Sequence, residues 1–461
     1  MSIDPRIFRA YDIRGRAHEQ MTKEGCRLIG QAFGSEVRER TGKEHPVLCV
    51  GRDARTHGPD FERAVVEGLI ESGCHVLLIG QTPSPVNYFT ICTQELDGGI
   101  QVTASHNPAH DNGLKLCTAD ADAFAGDDLQ RLHTRIQEGR FLKGSGTSLE
   151  IDAITPYVTH LATLFKGVGD GMSIAVDSGN GVAGPVYCDV LRAVGATVTE
   201  LYTEPDGTFP NHPADPSKWE TLRELQGTVQ DTGARLGFGF DGDGDRMGLV
   251  DERGMIRSAD DILLLLAQDH LSRFPGAPVV FTVSNSGVLK TEISAWGGKP
   301  VLCKVGHSFV ENAMREHKAK LGGEQSGHFF CGEDYFGFDD ALVASLRVLK
   351  ILQSGHGPLS SLFAAFPKVY QSPERRPTVA DEHKSHVVER ITKHFQERHD
   401  VETMDGARIE FGDGAWVGIR QSNTSPRISI CIEARTPEKL EELETIILHY
   451  LKDYPEIEWD E

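Results

Sequence analysis

Apolar and polar positions along the chain repeat one arrangement three times. A strand-like run, VLCVGRD (47–53), leads into a helical stretch ending at Gly73, and a second apolar run, CHVLLIG (74–80), follows. The same order returns in SIAVDSGNG (173–181), a helical stretch, Gly195 and ATVTELY (196–202). It returns once more in PVVFTVSNS (278–286), a helical stretch, Gly297–Gly298 and KPVLCKVGH (299–307). Short apolar runs bounded by turn residues read as buried strands, and glycine just past a helix caps it in a conformation where a Cβ would clash. Strand–helix–strand units of this length predict parallel strands joined by crossover helices.

Each copy continues to a third segment that ends in a polar loop: GGIQV into TASHNP (103–108), LGFGF into DGDGDR (241–246), and KLGG into EQSGH (324–328). Loops at the carboxyl ends of parallel strands are where α/β folds hold ligands, so three repeats predict one site assembled between domains. After residue 366 the pattern breaks. FPKVYQSPERRP (366–377), with three prolines and a charged cluster, reads as a linker or domain edge. RIEFGDGAWVGIR (408–420) and RISICIEAR (427–435) read as antiparallel strands turning at Gly-Asp-Gly and SNTSP. In PEKLEELETIILHYLKDY (437–454), Leu440, Leu443, Ile446, Ile447, Tyr450 and Leu451 recur at helical spacing, which predicts an amphipathic helix. The expected fold class is α/β: three related α/β domains with mixed sheets (1–150, 151–254, 255–367) and a C-terminal α+β domain (368–461), around a central cleft.

Composition narrows the function. A chain of 461 residues fits about three domains of ordinary size, which the pattern revises to three plus one. The longest apolar run, Ile262–Ala267, is far short of the ~20 residues a membrane span needs, and MSIDPRIFRA offers no secretory signal. Nine scattered cysteines without a CxxC pair fit a reducing cytoplasm rather than a disulfide framework or a structural zinc site. The net charge of −21 argues against nucleic acid or an anionic membrane as partner, though not against a small anion in a basic pocket.

The loops carry the candidate chemistry. DGDGDR sets Asp241, Asp243 and Asp245 on alternate positions, and carboxylates this close repel unless a divalent cation lies between them. With Glu252 they match EF-hand positions one, three, five and twelve. The sixth position is Arg246 rather than glycine and the flanks are strand-like, so Mg²⁺ is favoured over an EF-hand. GNGVAG (179–184), with Glu200 beyond, matches a dinucleotide fingerprint, and an NAD-dependent oxidoreductase is the alternative from a different class. That reading leaves the other loops without a role; glycines that let a helix pack on its sheet account for the pattern as well. Ser105 is a candidate nucleophile, but adjacency to His106 on an extended loop does not make a Ser–His dyad. The Asn112–Gly113 turn signal is expected to fold LKL, with Lys115, back toward that loop. Glu324, Ser326 and His328 suit sugar hydroxyls, and RQSNTSPR (420–427) clusters Arg420, Ser422, Asn423 and Thr424 as a phosphate cradle.

Taken in order, FRAYDIRG (8–15), TASHNP, DGDGDR, GEQSGH and RQSNTSPR resemble the α-D-phosphohexomutase superfamily, in its phosphomannomutase/phosphoglucomutase branch. The PDGTFPNHPADP loop (205–216) extends the likeness, which covers nearly the whole chain. The resemblance implies a C-terminal domain like the TATA-binding-protein fold and a phosphosugar substrate. It makes Ser105 a phosphoserine and has Mg²⁺ held by Asp241, Asp243 and Asp245 together with that phosphate. It implies acid–base work for Lys115 and His106, and positions near the reacting phosphate for Arg14, Arg246 and Tyr11, with His307 also at the active site. Glu324, Ser326 and His328 would hold sugar hydroxyls; Arg420, Ser422, Asn423 and Thr424 would grip the other phosphate. The implied reaction interconverts hexose 1-phosphate and hexose 6-phosphate through a hexose 1,6-bisphosphate. Ser284 stands where some relatives have lysine. Gln325 is shared with phosphoglucosamine mutases, the alternative within the superfamily, but the opening FRAYDIRG favours mannose or glucose.

Overall fold

The computed structural model describes residues 3–355, 357–423 and 425–459. The chain forms two compact units, Met1–Leu266 with Ser326–Ala364, and Ala267–Gln325 with Ala365–Glu461.

In the first unit, Val47–Arg52 runs parallel to His75–Gln81 on one side and Gly98–Val102 on the other. Ser173–Asp177 stands in the same way between Thr197–Leu201 and Leu236–Phe240. In the second unit Pro278–Thr282 lies between Lys299–Cys303 and Leu321–Gly323. The three-fold pattern in the sequence is therefore three copies of one topology, with the first strand of each repeat in the centre. These central strands carry continuous apolar residues (Leu48, Cys49, Val50; Ile174, Ala175, Val176; Val279, Val280, Phe281) because both faces of a parallel sheet are covered.

Both sheets of the first unit are mixed. Gly98–Val102 pairs antiparallel with Asp111–Thr118, and Leu236–Phe240 pairs antiparallel with Met247–Asp251. TASHNP and DGDGDR are the connections within these two pairs, so each loop is anchored at both ends by ladder hydrogen bonds. Asn112–Gly113 is not the turn that the dipeptide suggests. Both residues sit inside Asp111–Thr118, where Gly113 pairs with Arg14, and a Cβ on Gly113 would stand 2.3 Å from the Ile13 carbonyl oxygen. Glycine is needed there for close backbone approach rather than for a reversal. Lys115 does return toward the loop, but the chain turns through 103–110.

Helix Ala341–Ser354 completes the first unit. Asp340 caps it, its Oδ1 accepting the Val343 N–H at 3.0 Å while Oδ2 accepts the hydroxyls of Tyr157 (3.0 Å) and Tyr335 (2.9 Å). The apolar run Ile262–Ala267 lies in helix Ala259–Arg273. Among the described residues no helix is long and apolar enough to cross a membrane.

The C-terminal part of the second unit is an antiparallel sheet in the order Tyr370–Gln371, Ile428–Ala434, Trp416–Gln421, Ala407–Glu410, Val401–Glu402. Helices Asp381–Gln396 and Pro437–Leu451 share its core, which includes Val387, Ile391, Ile419, Ile430, Leu443 and Ile447. The segment 366–377 is more than the linker expected from its prolines. It supplies the edge strand Tyr370–Gln371 and adds the bridges Arg375–Ile430 and, past Pro377, Thr378–Arg427. Buried Glu433 accepts from the Trp416 indole (2.9 Å), the Gly287 N–H (3.0 Å) and Gln371 (2.9 Å). Arg408 lies 3.7 Å over the Trp416 ring and donates to the carbonyls of Val283 (2.7 Å) and Asn285 (2.8 Å). The antiparallel sheet is thereby tied to the loop that follows Pro278–Thr282.

Candidate active site

Ser105 is buried at the tip of its loop with φ of +51°, an uncommon conformation for a residue with a Cβ. Its N–H donates to Thr103 Oγ1 (2.8 Å), and Thr103 Oγ1 in turn donates to Asp53 Oδ2 (2.7 Å). The left-handed turn brings Ser105 Oγ to 3.2 Å from His106 Nδ1. The two side chains therefore face each other, contrary to the expectation for neighbours on an extended loop, because the loop is not extended at Ser105.

The loop is held from beneath by Arg55. Its guanidinium donates to the carbonyls of Ser105 (2.8 Å), Asn107 (2.6 Å), Pro108 (2.6 Å) and Asp111 (2.8 Å), and pairs with Asp53 at 3.0 Å. Phe209, from the 205–216 loop, covers the guanidinium with its ring centroid 5.3 Å away. Arg14, itself paired with Asp12 at 2.6 Å, reaches the Ala104 carbonyl (3.2 Å) and Asn107 Oδ1 (3.1 Å). Tyr11 lies in the preceding turn, which the Phe8–Ile13 bridge and the Arg9 N–H to Asp12 carbonyl bond close.

Opposite Ser105, the three aspartates are divided in their duties. Asp241 Oδ1 accepts the backbone N–H groups of Gly244, Asp245 and Arg246, each at 3.1 Å, while Oδ2 accepts the Ser105 hydroxyl at 2.6 Å. Asp243 Oδ2 accepts from Ser84 (2.6 Å) and Lys115 (2.7 Å), and Lys115 also pairs with Asp245 Oδ2. Asp243 Oδ1 and Asp245 Oδ1 are buried without a hydrogen bond. Burial and the two neighbouring carboxylates push the Asp241 carboxyl far up. Burial acts on Asp245 too, but Lys115, His328 and Arg246 outweigh it and hold that carboxyl well below the ordinary range. For Lys115, Asp243 and Asp245 overcome the cost of burial and keep the ammonium charged. Three carboxylates with oxygens all within 4.8 Å of one another, two of those carboxylates having an oxygen without a hydrogen bond, form a hard-oxygen set that fits a divalent cation.

His328 closes this half of the arrangement. Arg246 Nε donates to His328 Nε2 at 3.2 Å, and Nδ1 lies 2.9 Å from Ser326 Oγ. His328 Nε2 is 3.4 Å from Asp245 Oδ1 and 4.0 Å from Asp339 Oδ2. The first unit thus brings together Ser105, His106, Arg14, Lys115, the aspartates, Arg246, Ser326 and His328.

The remaining predicted residues belong to the second unit. Glu324 Oε1 accepts the Gly306 N–H at 2.7 Å, and His307 begins the helix His307–His317. Arg420 Nε donates to Ser284 Oγ at 3.3 Å. Ser422 Oγ lies 2.9 Å from Ser425 Oγ and accepts from Arg376 at 3.0 Å, while Lys384 donates to the Ser422 carbonyl at 2.8 Å. Asn423 Nδ2 donates to the Val305 carbonyl at 2.9 Å. Thr424 lies outside the described residues.

Comparison with known proteins identifies the family. Models of the phosphoglucomutase/phosphomannomutase family match along the chain: alpha/beta/alpha domain I at residues 5–143, domain II at 155–254, domain III at 258–370 and the C-terminal domain at 375–449. The chain belongs to this family. A phosphomannomutase/phosphoglucomutase of Pseudomonas aeruginosa is 39% identical over 453 residues, covering 97% of this chain and 95% of the relative. A phosphoglucomutase of Neisseria gonorrhoeae is 35% identical, with 99% of each chain covered. The crystal structure of a phosphoglucomutase/phosphomannomutase family protein from Burkholderia thailandensis superimposes with a TM-score of 0.90 at 35% identity, over 99% of this chain and 100% of that one.

Several residues of this family member's site escape a linear reading. Arg55 and Asp53 reach the Ser105 loop across 50 positions and Ser84 reaches Asp243 across 159; GRDAR (51–55) and TPSP (82–85) at strand ends were the available signals. The GNGVAG glycines have structural work. A Cβ on Gly181 would meet the Asp241 carbonyl oxygen at 2.8 Å, and one on Gly184 would meet the Thr203 carbonyl oxygen at 2.1 Å. Glu200 pairs with Arg192 and bonds Thr203. This packing presses one loop against DGDGDR and leaves the dinucleotide reading without support.

Proposed function

We propose that the enzyme interconverts hexose 1-phosphates and 6-phosphates of glucose or mannose, with Ser105 carrying the transferable phosphate. The observation that carries this reading is the buried Ser105 hydroxyl, 2.6 Å from Asp241 Oδ2, on a loop whose backbone carbonyls are held by Arg55 and Arg14. Residues 1–150 supply the phosphoserine loop, 151–254 the metal-binding loop, 255–367 the sugar-binding loop and 368–461 the phosphate-binding loop.

In the forward step the bond between phosphorus and Ser105 Oγ breaks as a sugar hydroxyl oxygen bonds to phosphorus, and the hydroxyl proton passes to a base. His106, with Nδ1 3.2 Å from Ser105 Oγ, lies beside the departing serine oxygen and is placed to give it a proton. Asp241, Asp243 and Asp245, with the Ser105 phosphate, would hold Mg²⁺. When bound, the ion neutralises charge on the transferring group. Lys115 and Arg246 bring positive charge to the same region, and the fixed backbone donors to Asp241 Oδ1 hold that carboxylate in place without reorganisation. Glu324, Ser326 and His328 hold the sugar hydroxyls. Arg420, Ser422, Asn423 and Thr424 hold the phosphate that is not reacting, so a hexose 1,6-bisphosphate can return its other phosphate to Ser105 after reorientation.

The test is Ser105→Ala, assayed with glucose, mannose and glucosamine 1-phosphates, together with mass spectrometry for phosphate on the wild-type serine. The expected results are loss of turnover and a phosphorylated Ser105 peptide. Normal turnover by the variant would overturn the phosphoserine reading.

A further inference from the structure

The second unit contains a connection between its two recognition loops that passes through a single peptide group. The Val305 carbonyl accepts from Asn423 Nδ2 at 2.9 Å, and the Gly306 N–H donates to Glu324 Oε1 at 2.7 Å. That carbonyl and that N–H are opposite ends of one planar peptide unit, so neither can turn without the other. The Val305 N–H is pinned to Asp405 Oδ2 at 3.0 Å, which fixes the unit's approach from the N-terminal side. Gly306 has φ of 138° and ψ of 136°, a conformation essentially closed to residues with a Cβ. This orientation of the peptide therefore depends on glycine at 306.

We infer that the Val305–Gly306 peptide couples the phosphate loop to sugar recognition, and that Asn423 is a positioning residue for Glu324. The inference rests on the hexose-phosphate reading above. Glu324 is an acceptor with two oxygens, and the bond that its Oε1 accepts from the Gly306 N–H helps to orient the carboxylate. Asn423 polarises the same peptide from its carbonyl end, which strengthens the N–H donor toward Glu324. A side chain of the 420–427 loop thus reaches, through this peptide, the carboxylate that meets the sugar.

A residue that only grips phosphate and one that also orients Glu324 differ in a measurable way. If Asn423 serves phosphate alone, its loss weakens every hexose phosphate in parallel. If it positions Glu324, its loss also blunts the distinction between a sugar that has the hydroxyl and one that lacks it. The experiment compares glucose 1-phosphate with its 3-deoxy and 4-deoxy analogues, reading both kcat/KM and the Kd from calorimetry, in wild type, Asn423→Ala, Gly306→Ala and Ser422→Ala. In wild type at least one deoxy analogue is penalised. The expected result is that this penalty shrinks by roughly three- to tenfold in Asn423→Ala, the range a neutral hydrogen bond supplies. Gly306→Ala, in which the peptide must rotate, shrinks it likewise, while Ser422→Ala weakens parent and analogues equally. An unchanged penalty in folded Asn423→Ala overturns the coupling. A wild-type protein that binds the sugars but does not turn them over overturns the mutase reading instead, and the Kd ratios still decide the coupling.

Discussion

Replacing Gly242 by alanine tests the closeness of the Ser105 and Asp241 loops. Gly242 does not need glycine for its backbone angles, so the added methyl acts only through space. That methyl carbon would stand 2.5 Å from the Ser105 carbonyl oxygen, where ordinary contact begins at 3.4 Å. The oxygen cannot simply retreat, because Arg55 holds it at 2.8 Å. One loop must give way by about 1 Å, and a displacement of that size between reacting groups costs on the order of 10²-fold in rate. Crowding also lowers stability by about 1–3 kcal/mol. Steady-state conversion of glucose 1-phosphate to glucose 6-phosphate reads the rate, and urea denaturation reads the stability. Gly227→Ala is the control: it lies in the helix Arg223–Thr232 with nothing within 4 Å of a new Cβ, so turnover is unchanged and stability rises by up to ~1 kcal/mol. Wild-type kcat in folded Gly242→Ala would refute the argument that loop spacing limits the chemistry.

Three further outcomes are expected. Arg55→Met leaves the four carbonyls and Asp53 without these donors, and breaking this buried pair lowers unfolding free energy by about 3–5 kcal/mol in urea titrations. An unchanged denaturation midpoint would show that the loop is held by other means. Asp340 is raised from 3.8 to about 6, chiefly by burial, which its hydrogen-bond donors only partly offset. A raised carboxyl stabilises the fold below the unfolded value and loses that contribution as pH climbs through 6, at a cost of about 3 kcal/mol by pH 7. Asp340→Asn should therefore remove a stability decline between pH 4 and 6.5, and identical pH profiles for the two proteins would contradict it. Lastly, Mg²⁺ should raise the melting temperature of wild type and of Ser105→Ala but not of Asp243→Asn, measured after chelation and readdition; equal shifts in all three would place the ion elsewhere.

Much of the architecture was legible because it is local and repeated. Three strand–helix–strand patterns with glycine stops mark three crossover units, and alternating residues around Gly-Asp-Gly mark the C-terminal hairpin. The polar loops were legible as well, since a strand end followed by unusual polar residues is a local signal. What escaped was set by distant partners. Nothing near Arg55 in sequence announces four carbonyls between 105 and 111, and Ser105 faces His106 only because Thr103 and Arg55 hold a left-handed turn. Asn112–Gly113 misleads for a related reason: its glycine answers to Ile13, about 100 positions away, rather than to a reversal of the chain.

The first unit is built from two stretches of chain, and that fact bears on how the protein is made. Leu266 leaves this unit and Ser326 re-enters it, with Ala364 as its last residue. A ribosome adding about 5–20 residues per second therefore takes on the order of 5–20 s to complete a unit whose first 266 residues have already emerged. During that interval the face destined for Leu342, Leu346 and Leu349 stays exposed, and Arg246 waits for His328. Both sheets of this unit also rely on parallel pairing between distant strands, which forms slowly. The nascent chain is thus most open to proteolysis and to chaperones just before the sequence around 326–364 appears, and translation pauses in that window should lower the yield of folded protein more than pauses elsewhere.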